Sequence, residues 1–327
     1  MDNYFVRYSD QKWFFEPPAD WKILSFAAFE DHPEKEDVAQ LAGMALEHPV
    51  DTAPLRQQLR PSDKVAIIIE DQTRVSPKKI ILRTLLDELD RIGVARENIS
   101  VVVALGTHNG LDRSGLAAVY GEEAVRDYTF INHDCRSDDL VPVAELQTGT
   151  AVRINKTVHE ADFRIGIGSI FPHPLNGFGG GCKILFPGVA NFDAILEHHL
   201  KHSFRNGSGL GLMDGNPFYD EVIRITKAAR LDFIINSVLD HNDRLYNLVC
   251  GEPVAAHKTG VAICRRIISK QFHKQADLTI ISKGSAVSTP SPHLNLAVTS
   301  QSPSIVRCTT ALVSMARKFA SPGWLGS

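Results

Sequence analysis

The chain has 327 residues, of which 43% are hydrophobic and 22% charged, with a formal net charge of −3. That is enough apolar material for two domains with a packed core, and no apolar run approaches the ~20 residues of a membrane helix. The slightly acidic balance argues against a dedicated nucleic-acid binder. Five widely spaced cysteines, none in C-x-x-C, give neither a zinc knuckle nor a disulfide framework. The start, M-D-N-Y-F-V-R-Y-S-D, lacks the basic end and apolar centre of a signal peptide, so a cytoplasmic location is expected.

Residues 1–60 read as an entry segment of short elements punctuated by Pro17, Pro18 and Pro33. From Lys64 the pattern becomes regular. Val65–Ile69 is a buried strand followed by the polar turn E-D-Q-T-R-V-S. Ser76 is a candidate N-cap with Pro77 at the first helical position. Ile80, Ile81, Leu85, Leu89 and Ile92 then recur at helical spacing, and Gly93 ends the helix. Ile99–Leu105 is the next strand and runs into G-T-H. A strand–helix–strand unit of this kind implies parallel strands. Both turns then lie at strand carboxyl ends, the edge where open α/β sheets bind ligands. Phe163–Gly168 and Asp232–Val238 are further strands, residues 253–274 a helix, and A-D-L-T-I-I-S begins another strand.

After Ile281 periodicity fails. All 38 acidic residues lie at or before Asp277, and the remainder carries four basic residues and many Ser, Thr and Pro. Composition alone assigns a linker or disordered tail.

Between the third and fourth predicted strands lies the densest chemistry, Phe171 to His202, with four histidines, two lysines and a glycine run. Glycines let backbone approach a ligand closely, here at Gly179, Gly180 and Gly181. Lys183 follows them, but Cys182 intervenes and Ile184 replaces Ser/Thr, so the phosphate-binding P-loop pattern fails. A lysine among Ile184, Leu185 and Phe186 is either a snorkelling side chain or a nucleophile of depressed pKa. His173 is stiffened by Pro172 and Pro174. His198, His199 and His202 sit on one helix, with 198 and 202 on the same face. They read as a solvated cluster or as a source of one metal ligand. H-E-x-x-H needs Glu at 199, so that protease is not supported. Asp71 and Arg74 are ordinary turn residues, or else an Arg fork for an anion with an Asp that orients a base. His108 at a strand end suits acid/base work, though core or surface histidines at such ends are common.

Together these segments resemble the nickel-pincer lactate racemase family. The resemblance rests on D-x-T-R (Asp71, Thr73, Arg74), on G-T-H (His108) and on P-H…G-G-G-x-K…P-G…H, and it runs from about Lys64 to about Ser282. It implies two α/β domains with the active site between them. It further implies nickel held by pyridinium-3,5-bisthiocarboxylic acid mononucleotide, the nickel-pincer nucleotide. Lys183 would join that cofactor covalently and His199 would ligate nickel. His108 and His173 would be the paired acid/base residues, Asp71 would orient His108, and Arg74 would help hold a small 2-hydroxy acid substrate. The implied activity is racemisation or epimerisation by reversible hydride transfer, with cofactor-biosynthesis proteins as partners.

Two departures stand out. Val75 occupies the place of the family's Pro after D-x-T-R, and nothing after Ser282 matches the family's second domain, including its Q-x-x-K motif (Gln301 is followed by Ser304). The expected organisation is therefore an N-terminal α/β domain over 1–270 and the start of a second over 271–327. This C-terminal domain is expected to be truncated or scrambled after about residue 283, as a shifted reading frame would make it. An inactive cofactor-binding fragment and a histidine-ligated zinc hydrolase are the alternative functions.

Overall fold

The structure, a computed structural model, describes residues 4–8, 11–19, 21–27, 37–203, 206–240, 243–268, 278–281 and 312–317. Two compact units emerge, Pro33–Cys264 and Met1–His32 with Arg265–Ser327. The expected domain boundary near 270 and the expected departure after 283 lie outside the described residues.

The Pro33–Cys264 unit is built on a six-stranded sheet. Its strands are β1 (Val65–Glu70), β2 (Ile99–Ala104), β3 (Thr129–Asn132), β4 (Phe163–Ile170), β5 (Phe233–Leu239) and β6 (Leu245–Gly251). The order across the sheet is β6-β5-β4-β1-β2-β3, and only the β5–β6 pair is antiparallel. Successive strands step outward from β1 in one direction to β2 and β3. Later strands then step outward on its other side to β4 and β5. The strand order thus reverses beside β1, and a crevice at the carboxyl ends of β2, β1 and β4 follows from that reversal.

β1 is buried along its whole length because both faces are covered. Val65, Ile67 and Ile69 point into one apolar cluster with Leu82, Leu85 and Leu89 of helix α1 (Lys78–Ile92). Ala66 and Ile68 point into the other, with Ile184, Phe186, Ala194 and Phe218. Strand period two thus splits one apolar run between two cores. The second core is roofed by helices α2 (Phe192–Ser203), α3 (Pro217–Ala229) and α4 (Pro253–Ile268). A Cβ at Gly166 of β4 would lie 2.4 Å from Ile184 Cγ2. Glycine there lets the short 3-10 turn Gly181–Ile184 press onto the sheet and carry Lys183 with it.

Several expectations shift in detail. Gly93 ends α1 in the left-handed region as predicted, at φ 91°. The N-cap of α1, however, is Pro77 rather than Ser76, whose hydroxyl instead donates to Glu70 Oε1. Glu70 is buried and needs donors, and the Ser76 hydroxyl supplies one of them. The helix predicted over 253–274 is described as Pro253–Ile268.

In the other unit, Phe5–Tyr8 and Gln11–Phe14 form an antiparallel hairpin. Leu312–Arg317 pairs antiparallel with both Leu278–Ile281 and Trp21–Ala27. A strand in the Ser/Thr/Pro-rich tail was not expected, because its pairing partner is distant in sequence and local periodicity does not report it. Among the described residues no helix is long and apolar enough to cross a membrane.

Candidate active site

The carboxyl ends of β1, β2 and β4 meet the Phe171–His199 segment around a cavity of about 270 Å³. Asp71, Arg74, His108, His173, Gly179, Gly180, Lys183 and His199 all line it. Of the sequence-predicted site residues, Gly181 alone is absent from the lining. It packs behind the wall, where a Cβ would lie 2.5 Å from His257 Cγ, and its N–H donates to Asn236 Oδ1 at 2.7 Å. At Gly179, too, a Cβ would meet protein, 2.7 Å from the Phe171 ring. Packing of the wall therefore demands these glycines, before any ligand is considered.

On the β1–β2 side, Asp71 is buried while the His108 side chain is 47% exposed. The Asp71 carboxylate meets His108 Nδ1 through Oδ2 and accepts from Thr73 N–H and Oγ1 through Oδ1, at 3.0 and 2.6 Å. Burial alone would raise the Asp71 pKa, but the bonds from His108 and Thr73 outweigh it and hold the carboxyl below its usual range. An ionised carboxylate only accepts, so Nδ1 carries the proton and His108 Nε2 keeps its lone pair.

Beneath this pair lies a network the sequence reading did not find. Lys78 is 4% exposed, and its ammonium donates to the Asp71 carbonyl at 2.6 Å and to the Arg74 carbonyl. It thereby pins the D-x-T-R turn from below. Glu70 accepts from Ser76 and, at 2.8 Å, from Ser169 of β4. Burial raises the Glu70 pKa and lowers that of Lys78, each partly offset by the other's charge. The signal was present in a carboxylate that closes the apolar run V-A-I-I-I-E.

On the β4 side, His173 sits in a tight hairpin, Pro172–His173 against Gly177–Phe178. Its Nδ1 accepts from the amides of Leu175 and Asn176, at 3.2 and 3.0 Å. A neutral His173 therefore carries its proton on Nε2, which faces Lys183 Nζ at 3.0 Å. That contact needs a lysine lone pair. Burial, then the Arg74 guanidinium, draws Lys183 down to about 7. Burial, then the charges of Lys183, Arg74 and His199, pushes His173 down to about 2. Arg74 is held over the Phe171 ring at 5.0 Å.

His199 donates from Nδ1 to the Ile195 carbonyl at 2.8 Å, which leaves Nε2 as a lone-pair donor. Burial lowers its pKa, so the ring stays neutral. A second-atom bond to a backbone carbonyl is the arrangement metal-ligating histidines use. Lys183 Nζ and His199 Nε2 are thus the cavity groups suited to a covalent cofactor and to a metal. Phe218 of α3 packs below both, 5.8 Å from Lys183 Nζ and 5.2 Å from the His199 ring. His198 and His202, expected as solvated if not ligating, are instead fully buried, packed against Phe218 of α3.

Residues 8–211 match the lactate racemase N-terminal domain. The chain belongs to the lactate racemase family. The lactate racemase of Thermoanaerobacterium thermosaccharolyticum is 31% identical over 291 residues, covering 87% of this chain and 67% of that protein. The lactate racemase of Lactiplantibacillus plantarum is 30% identical over 250 residues, covering 76% of this chain and 58% of that one. The solved lactate racemase apoprotein from T. thermosaccharolyticum matches with a TM-score of 0.76 at 29% identity, over 84% of this chain and 65% of that chain. A Thermotoga maritima structure matches with a TM-score of 0.61 at 20% identity, a likeness of fold alone. The chain thus spans roughly three fifths to two thirds of its lactate racemase relatives.

Proposed function

We propose that the chain carries the cofactor-anchoring and proton-transfer half of a 2-hydroxy acid racemase or epimerase with a lactate-like substrate. The observation that supports this most is the convergence of Asp71–His108, His173, a neutral Lys183 and a carbonyl-oriented His199 on one cavity.

The residues fit the nickel-pincer nucleotide that the sequence resemblance implies. Lys183 supplies an uncharged amine for covalent attachment, and His199 Nε2 supplies an imidazole that suits nickel alongside sulfur donors. When bound, that group supplies the hydride acceptor at the substrate's C2 carbon. The chain's own residues supply position and protons. Arg74, oriented by Phe171, offers a guanidinium to the substrate carboxylate. His108 takes the hydroxyl proton at Nε2, and the Asp71 carboxylate stabilises the imidazolium that forms. To take the proton of the opposite enantiomer at Nε2, the His173 ring would need the Nδ1–H tautomer, and so would give up the bonds its Nδ1 accepts from the Leu175 and Asn176 amides. Joining Lys183, which titrates at about 7, to a carbonyl-type carbon would remove its ammonium form, whose charge is one of the influences that depress His173.

The test is to produce the chain together with cofactor-biosynthesis proteins and nickel, supply L-lactate, and follow D-lactate by chiral chromatography. D-Lactate should appear, and should not appear with His108→Ala. A folded, cofactor-bearing chain that racemises neither lactate nor other 2-hydroxy acids would reduce the reading to a cofactor-holding protein without turnover.

A further inference from the structure

We infer that His198, His202 and Glu221 form a second metal site, for a divalent cation of the zinc class, which fastens α2 to α3 below the cavity. Their ligand atoms all lie within 4.8 Å of one another, and the three residues are 0%, 1% and 2% exposed. Glu221 Oε2 lies 2.8 Å from His202 Nε2 and 3.8 Å from His198 Nε2. Ligands of a tetrahedral zinc ion stand about 3.3 Å apart, so small side-chain rotations complete the set.

A second observation is independent of that clustering. Both ring nitrogens of His198 are buried without a hydrogen-bond partner among the described residues, and so is His202 Nδ1. Buried polar atoms of folded proteins are nearly always partnered, so an imidazole with no protein acceptor or donor calls for a partner from outside the chain, a water or an ion. The ring is held in place by apolar neighbours, 5.0 Å from Phe186 and 4.1 Å from Phe218, so it cannot turn away to find one.

The surroundings are those of an oriented ligand. Glu221 Oε1 is fixed by the Gln147 amide at 2.9 Å, with Arg224 at 3.5 Å, so Oε2 is the oxygen turned to the two histidines. Lys201 lies 3.5 Å from Oε2 but already donates to Gln147 Oε1 at 3.3 Å, a place to which its ammonium can withdraw. Two neutral imidazoles and one carboxylate are a zinc donor set with room for a water. No substrate reaches so buried a site, so the role is structural. His199, which faces the cavity from the same helix, inherits its position from this clamp.

The experiment uses the full chain with His199→Ala, made without cofactor-biosynthesis proteins, so that no other histidine site competes. After dialysis it should retain ~1 zinc per chain, and cobalt(II) should give the visible bands of a four-coordinate site. His198→Phe, which preserves the aromatic packing, and Glu221→Gln should each remove the metal. A zinc chelator should lower the melting temperature of the unmodified chain, and zinc should restore it. Folded protein that binds neither zinc nor cobalt, with a melting temperature indifferent to both chelator and zinc, would overturn the site.

Discussion

His108 and His173 face one cavity from strands on either side of β1, and the fold holds them by opposite means. His108 is exposed and rests on a side chain, Asp71, which fixes its proton on Nδ1. His173 rests on main chain, two amides that fix its lone pair on Nδ1 and its proton on Nε2. In the neutral rings the first arrangement leaves Nε2 an acceptor, and the second leaves it a donor. A pair of acid/base histidines in this site is therefore not symmetric, and the asymmetry lies in which nitrogen the protein has already used.

Removing either ring should have the largest effect. In cofactor-loaded protein, His108→Ala and His173→Ala should each lower racemisation by ~10²–10⁴-fold while the Lys183 adduct persists, as read by chiral assay and intact mass. Equal residual activity with and without one ring would end its assigned role. Asp71→Asn should cost no more than that, ~10²–10⁴-fold and mainly in kcat, because the ring stays but loses the charge that fixes its tautomer. No side-chain substitution can do the same to His173, whose partners are backbone amides. Gly166→Ala tests the wall rather than the chemistry. The new Cβ, 2.4 Å from Ile184, should destabilise the fold by about 1–3 kcal/mol in urea unfolding and displace Lys183. An unchanged midpoint would contradict the close packing of that turn.

The smallest effect concerns pH. Burial disfavours the Lys183 ammonium, so the free amine appears as pH rises through about 7, whereas exposed lysines need ~10.4. Labelling of the cofactor-free chain with an amine-reactive reagent should therefore mark Lys183 ahead of other lysines between these values. Site-resolved mass spectrometry reads this directly, and labelling in step with surface lysines would remove the neutral amine from the account.

Much of this was legible in the sequence, for reasons that differ by region. β1, α1 and β2 were readable because apolar alternation and helical spacing are local properties. Asp71, His108, His173, Lys183 and His199 were readable because their spacings form a joint pattern. What stayed hidden is long-range. Ser76 looks like a helix cap until Glu70 is seen beside it. Gly166 looks like strand filler until Ile184 lies upon it. Gly181 reads as a ligand-facing glycine, yet it faces His257. His198 and His202 read as solvated residues or stray ligands because Glu221, which meets them from the next helix, is 19 residues beyond His202.

The central claim is that this cavity anchors a cofactor through Lys183. The most direct measurement is peptide-level mass of the chain produced with cofactor-biosynthesis proteins and nickel, alongside the L. plantarum lactate racemase made in the same cells. A mass adduct on the Lys183 peptide is predicted, absent in Lys183→Arg. A folded chain whose Lys183 stays unmodified while the companion racemase is loaded would contradict the account.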